Sequence, residues 1–85
     1  MRPYKVLVTH EILSLSRPPA GQRQKIISFL EALSANPSQI GDYDEKDDVG
    51  RPVQIKVIGG YALTFWADHA VSKVKVTRIE RADRR

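Results

Sequence analysis

The 85-residue chain contains no cysteine. That excludes a disulfide-stapled secreted fold and any zinc site built on thiolates, and it fits a reducing cytoplasm. Histidine is scarce as well: His10 and His69 fall in unrelated segments with no third ligand at a metal-binding spacing, so no metal and no cofactor is expected. No apolar run approaches the ~20 residues that span a bilayer, and the opening Met1–Thr9 lacks the roughly 7–15-residue apolar core of a signal peptide. The expectation is a cytoplasmic protein without a membrane segment. Glycine-rich phosphate loops and the G-x-S-x-G nucleophile elbow are absent too. Any catalysis must then come from lysine, arginine and tyrosine acting on a polyanion.

What is present is a small, basic globule. Eighty-five residues make one domain, with 41% hydrophobic and 28% charged residues. The net charge of +4 is unevenly spread. Residues 1–40 carry +3, residues 41–50 carry −4, and residues 51–85 carry +5. Local clustering matters more than the total, because a phosphate feels only the charges within about 10 Å. The bland reading of the same pattern is a solvated acidic turn followed by a basic tail.

Periodicity sets the elements. Tyr4–Val8 is short and β-branched, which predicts a strand. Thr9 is a candidate N-cap, Glu11 suits a first helical turn, and Ile12, Leu13 and Leu15 form a brief apolar face, so a first short helix is expected before Arg17-Pro18-Pro19. In Gln22–Ala35 the residues Ile26, Phe29, Leu30 and Leu33 recur at i, i+3, i+4 and i+7, a second helix that Asn36-Pro37 ends. The period then changes to two. Gly41–Lys46 reads as a polar edge strand and Asp48–Gly50 as a turn, followed by strands Pro52–Ile58, Tyr61–Asp68 and Lys73–Glu80. The expected fold class is α+β: two N-terminal helices packed on one face of a mostly antiparallel sheet, in the order β-α-α-β-β-β-β, as a single domain over 1–85.

Burial of one apolar row suggests the register. A three-residue loop, Ile58–Gly60, would pair Val57 with Tyr61, Ile55 with Leu63 and Val53 with Phe65, placing all six on one face. A four-residue loop, His69–Ser72, would pair Ala67 with Val74 and Phe65 with Val76. The opposite face would then present Gln54, Lys56, Thr64, Trp66, Lys73, Lys75 and Thr77, with Trp66 across from Lys75 for a cation–π contact. A tryptophan among lysines is a stacking platform beside phosphate-seeking charge. Equally, Trp66 would serve as an aromatic covered by a loop or a partner protein. Arg78 has core-side parity, so either it lies at the rim or a bulge near Thr77 turns it.

Several segments resemble the RelE/ParE superfamily of bacterial type II toxins. They are Tyr4-Lys5-Val6-Leu7-Val8, Leu33-Ser34-Ala35-Asn36-Pro37 and the run Gly50-Arg51-Pro52-Val53-Gln54-Ile55-Lys56-Val57-Ile58. The run Gly60–Asp68 and the closing Val74-Lys75-Val76-x-x-Ile79-Glu80-Arg81 complete the likeness. The resemblance implies an antitoxin encoded nearby as partner and one of two targets: mRNA cut on the ribosome, or DNA gyrase. It implies Lys56, Arg81 and Arg84 as catalytic candidates, with Gln54 standing where a lysine is usual and Ala62 where an arginine is usual. Nucleic acid would then bind through Gln54, Lys56, Trp66, Lys73 and Lys75. A catalytically silent antitoxin-binding homologue is a third reading.

Overall fold

The computed structural model describes residues 3–8 and 18–82. Strand β1 (Lys5–Val8) is followed by helix α1 (Ala20–Ala35) and then by β2 (Tyr43–Lys46), β3 (Pro52–Ile58), β4 (Tyr61–Asp68) and β5 (Lys73–Arg81). The strands form one five-stranded sheet in the order β1-β5-β4-β3-β2. Three pairings are antiparallel, whereas β1 runs parallel to β5, with Val6 beside Val74 and Leu7 beside Lys75.

The expected layer of two N-terminal helices is corrected. Among the described residues there is one helix on a mixed sheet, and the short helix expected after Thr9 lies outside the described residues. Helix α1 begins at Ala20, two residues before the expected Gln22, because Pro19 serves as the N-cap and its carbonyl accepts the Arg23 N–H at 2.8 Å. It ends as Pro37 requires. Asn36 sits in an extended conformation, which the following proline enforces, and still donates its N–H to the Ala32 carbonyl.

Beneath α1 lies the main core. Ile26 and Leu33 meet Leu63, Phe65, Val74, Val76 and Ile79, flanked by Val6, Val8, Phe29, Leu30 and Ile58. Phe29 packs edge-on to Phe65 with ring centroids 5.6 Å apart. Tyr4 ties β1 to the helix, donating its N–H to the Ser34 carbonyl while its own carbonyl accepts the Ser34 hydroxyl.

The β4–β5 pairing forms as the apolar rows predict, with Ala67 opposite Val74, Phe65 opposite Val76 and Trp66 opposite Lys75. The β3–β4 pairing does not. Ile58 pairs with Tyr61, Val57 with Ala62, Ile55 with Thr64 and Gln54 with Phe65, so the loop is the two-residue Gly59-Gly60 turn. Both glycines have positive φ, 57° and 84°, the geometry of a type I′ turn, whose twist matches that of the flanking strands. Burial fails to exclude this register because the middle of the sheet is buried on both sides. Val53, Ile55 and Ala62 are buried on the face turned away from α1, outside the cluster under the helix. A bulge follows: Thr64 pairs with Arg78 and Phe65 with Val76, which leaves Thr77 between them and brings Arg78 onto that distal face.

Candidate nucleic-acid interface

Directly paired residues share a face, so the registers sort the charged side chains. The distal face carries Lys5 and Leu7 on β1, Lys73 and Lys75 on β5, and Trp66 and Asp68 on β4. Arg51 joins them from the turn before β3. Its guanidinium carbon lies 4.1 Å from the centroid of the Trp66 ring, and Lys75 Nζ lies 5.0 Å from the same centroid. The indole thus stands in contact with two cations, each a favourable quadrupole contact of about 0.5–1 kcal/mol at a part-exposed site.

Each cation also has a carboxylate. Arg51 Nη1 is 3.3 Å from Asp47 Oδ2, and Lys75 Nζ is 3.3 Å from Asp68 Oδ2. Asp47 is itself fixed by the turn: its Oδ1 accepts the N–H groups of Val49 and Arg51, and Gly50 closes the turn with φ of 80°. Arg78 Nη1 stands 4.0 Å from Glu80 Oε1. The indole Nε1 of Trp66 is buried without a hydrogen-bond partner.

The residues expected to form one site therefore separate. Trp66, Lys73 and Lys75 come together, and Thr77 follows them on β5. Gln54 and Lys56, expected beside them, lie on the helix-bearing face, because Gln54 is opposite Phe65 and Lys56 opposite Leu63. The one-residue change of register turns every side chain of β3 over. Arg81 shares that helix-bearing face through its pairing with Tyr61, and Arg84 lies outside the described residues. Gln54 is occupied structurally, accepting the Gly41 N–H at 2.8 Å and donating to Asp44. Lys56 Nζ is 3.4 Å from Asp42 Oδ1. The Val57 N–H, donated to Asp42 Oδ2 at 2.8 Å, holds the Asp42 carboxyl below the usual carboxylate value, with Lys56 adding to it and partial desolvation opposing it.

Lys5 and Arg51, both on the distal face, were not among the expected site residues. Lys5 arrives through the parallel pairing with β5, which no local pattern encodes. Arg51 was legible: it has the parity of Val53, and the two-residue turn places that row against Trp66. Where β3 begins, a groove of about 440 Å³ opens between residues 37–40, Arg51, Gln54 and the end of β4 at Trp66 and Ala67. His69 lines it and its Nδ1 is hydrogen-bonded to the Tyr4 hydroxyl at 2.8 Å, so this imidazole braces β1 against the β4–β5 loop. Among the described residues, no helix is long and apolar enough to cross a membrane.

No protein-family model matches this sequence, and neither does any curated protein. The fold does have a solved counterpart. A chain in the crystal structure of the RelBE2 toxin–antitoxin complex from Mycobacterium tuberculosis superposes with a TM-score of 0.72. The two are 20% identical, and the match covers 93% of this chain and 98% of that one. The chain therefore shares its fold with that chain of the complex.

Proposed function

We propose that this protein is the toxin component of a type II toxin–antitoxin system and arrests translation by engaging mRNA on the ribosome. The observation that carries the RNA reading is the distal face, where Arg51 and Lys75 flank Trp66 and Lys5 and Lys73 extend the positive strip. Phosphates need fixed cations and unpaired bases need planar groups, and this strip offers both within a few ångströms. The fold shared with the RelBE2 complex supports the toxin–antitoxin setting, and a nearby-encoded antitoxin is the proposed partner.

Scission is a second reading, favoured by Lys56 and Arg81 sharing the helix-bearing face near the Gly59-Gly60 turn. Cleavage would require activation of the ribose 2′-OH and stabilisation of charge developing on the phosphorane, and cationic side chains supply the second of these electrostatically. The sheet lies between this pair and Trp66, so the two readings place RNA on opposite faces and are separable by mutation. Lys75→Glu should reduce RNA affinity. On the scission reading Lys56→Glu should abolish cleavage and growth arrest, whereas on the distal-face reading it should leave both RNA affinity and growth arrest intact.

The deciding experiment follows incorporation of labelled amino acid and thymidine after induction. Translation stopping first supports the proposal. Thymidine incorporation stopping first replaces it with gyrase inhibition, and continued synthesis of both replaces it with a catalytically silent antitoxin-binding protein.

A further inference from the structure

The indole of Trp66 is the obvious surface for a nucleobase, yet Arg51 already lies against its ring. With Lys75 at 5.0 Å from the same centroid, a base can reach the ring only by displacing a cation. The guanidinium is differently placed. It is planar, it rests at 4.1 Å on the indole, and one edge is held by Asp47 at 3.3 Å. The backbone that carries it is pinned as well, through Arg51 N–H to Asp47 Oδ1 at 2.8 Å and the Asp47 N–H to the Arg51 carbonyl at 2.9 Å. Even so, 41% of its side-chain surface remains exposed. A guanidinium seated over the indole and tied along one edge keeps part of its planar, cationic surface open to solvent.

We infer that Arg51, not Trp66, is the base-stacking platform, and that its ligand is an unpaired nucleobase of single-stranded RNA. The inference rests on the RNA-binding reading above and specifies how that site takes its substrate. Arginine planes stack bases as aromatic rings do and add charge for the neighbouring phosphate. Trp66 is then a positioning residue: it sets the plane of Arg51 and contacts no RNA. Lys75 and Lys73, on the β5 side of the indole, are placed for the phosphates on either side of the stacked base.

The test uses the full chain with two matched single-stranded oligoribonucleotides, one with bases and one abasic throughout. Wild-type protein should bind the base-containing strand about 10-fold more tightly than the abasic one, the lower end of what one stacked base contributes. Arg51→Lys keeps the charge and removes the plane, so it should lose that preference while binding the abasic strand as the wild type does. Trp66→Ala should lose the preference as well, and Trp66→Phe should restore it. The single tryptophan supplies an independent readout. Base-containing RNA should not quench it beyond the abasic strand in wild type, and should do so in Arg51→Ala, where the ring is uncovered. Base-dependent quenching in the wild type, or an Arg51→Lys variant that retains the preference, overturns the inference while leaving RNA binding standing. Failure of both strands to bind removes the inference and the RNA reading together.

Discussion

Asp68 is predicted to restrain the site it adjoins. Its carboxylate lies 3.3 Å from Lys75 Nζ, the ammonium in cation–π contact with Trp66, and 22% of its side-chain surface is exposed against 39% for Lys75. A phosphate docking on Lys75 must displace that carboxylate or sit beside it. Two unit negative charges about 5 Å apart in water repel by about 0.8 kcal/mol, and breaking a part-exposed ion pair adds a few tenths. Asp68→Asn keeps the shape and removes both terms, so RNA should bind about 1 kcal/mol more tightly, a factor of about five at low salt. Without its carboxylate Lys75 brings an uncompensated charge to its phosphate contact, which should steepen the dependence of log K on log salt by up to about 0.7. Equilibrium binding of a single-stranded oligoribonucleotide at several salt concentrations measures both effects. Glu31→Gln, on α1, changes the net charge equally and corrects for the long-range field. Asp68→Asn binding no better than Glu31→Gln, with an unchanged salt slope, would refute the competition.

Three further predictions concern the frame that holds the strip. Gly60 has φ of 84° and open space where a Cβ would stand, so Gly60→Ala should lower stability by about 1–2 kcal/mol and Gly60→Asn by less, since asparagine tolerates that conformation; urea unfolding measures the difference. Phe65 is 1% exposed and packs against Phe29, so Phe65→Ala should cost about 3–5 kcal/mol, a large part of what a domain this size has, and should leave the protein largely unfolded in a thermal melt. Because the Asp42 carboxyl is held below its ordinary value of 3.8, its contribution is present at neutral pH and fades as pH falls through the folded-state value. Asp42→Asn should therefore flatten the acid limb of stability as pH falls below the ordinary value of 3.8, and an unchanged limb would mean that the Val57 hydrogen bond does not favour the charged form.

Local chemistry was legible where two signals agreed. The β4–β5 pairing follows from a four-residue loop and from apolar rows that match across it, and both point to one register. At β3–β4 the signals conflict: the Gly59-Gly60 pair favours a two-residue turn, whereas one-sided burial favours three residues. The turn prevails, because Val53 and Ile55 find burial on the distal side instead. The run Tyr61–Ala67 already signals this. It is apolar on both parities apart from Thr64, as expected of a strand covered on both faces. The parallel placement of β1 beside β5 is a different matter, since it joins segments some 68 residues apart and no local periodicity reports it. The helix expected in residues 9–17 lies outside the described residues, and Arg84 does as well.

The acidic segment 41–50 also changes meaning once faces are assigned. Read as charge alone, its −4 subtracts from the basic segments on either side. In the fold, Asp42 pairs with Lys56 and Asp47 with Arg51, two bases five residues apart that point to opposite faces of the sheet. One hairpin thus supplies a counter-charge to each face. On the helix-bearing side the pair fixes Lys56 near the β3 edge, and on the distal side it orients a guanidinium against Trp66. Exposed ion pairs of this kind add little to stability, about 0–1 kcal/mol each, so their main effect is on direction: they decide where a long flexible cation points. For Arg51 that direction creates a flat surface, which neither the net charge nor the charge of the segment could have revealed.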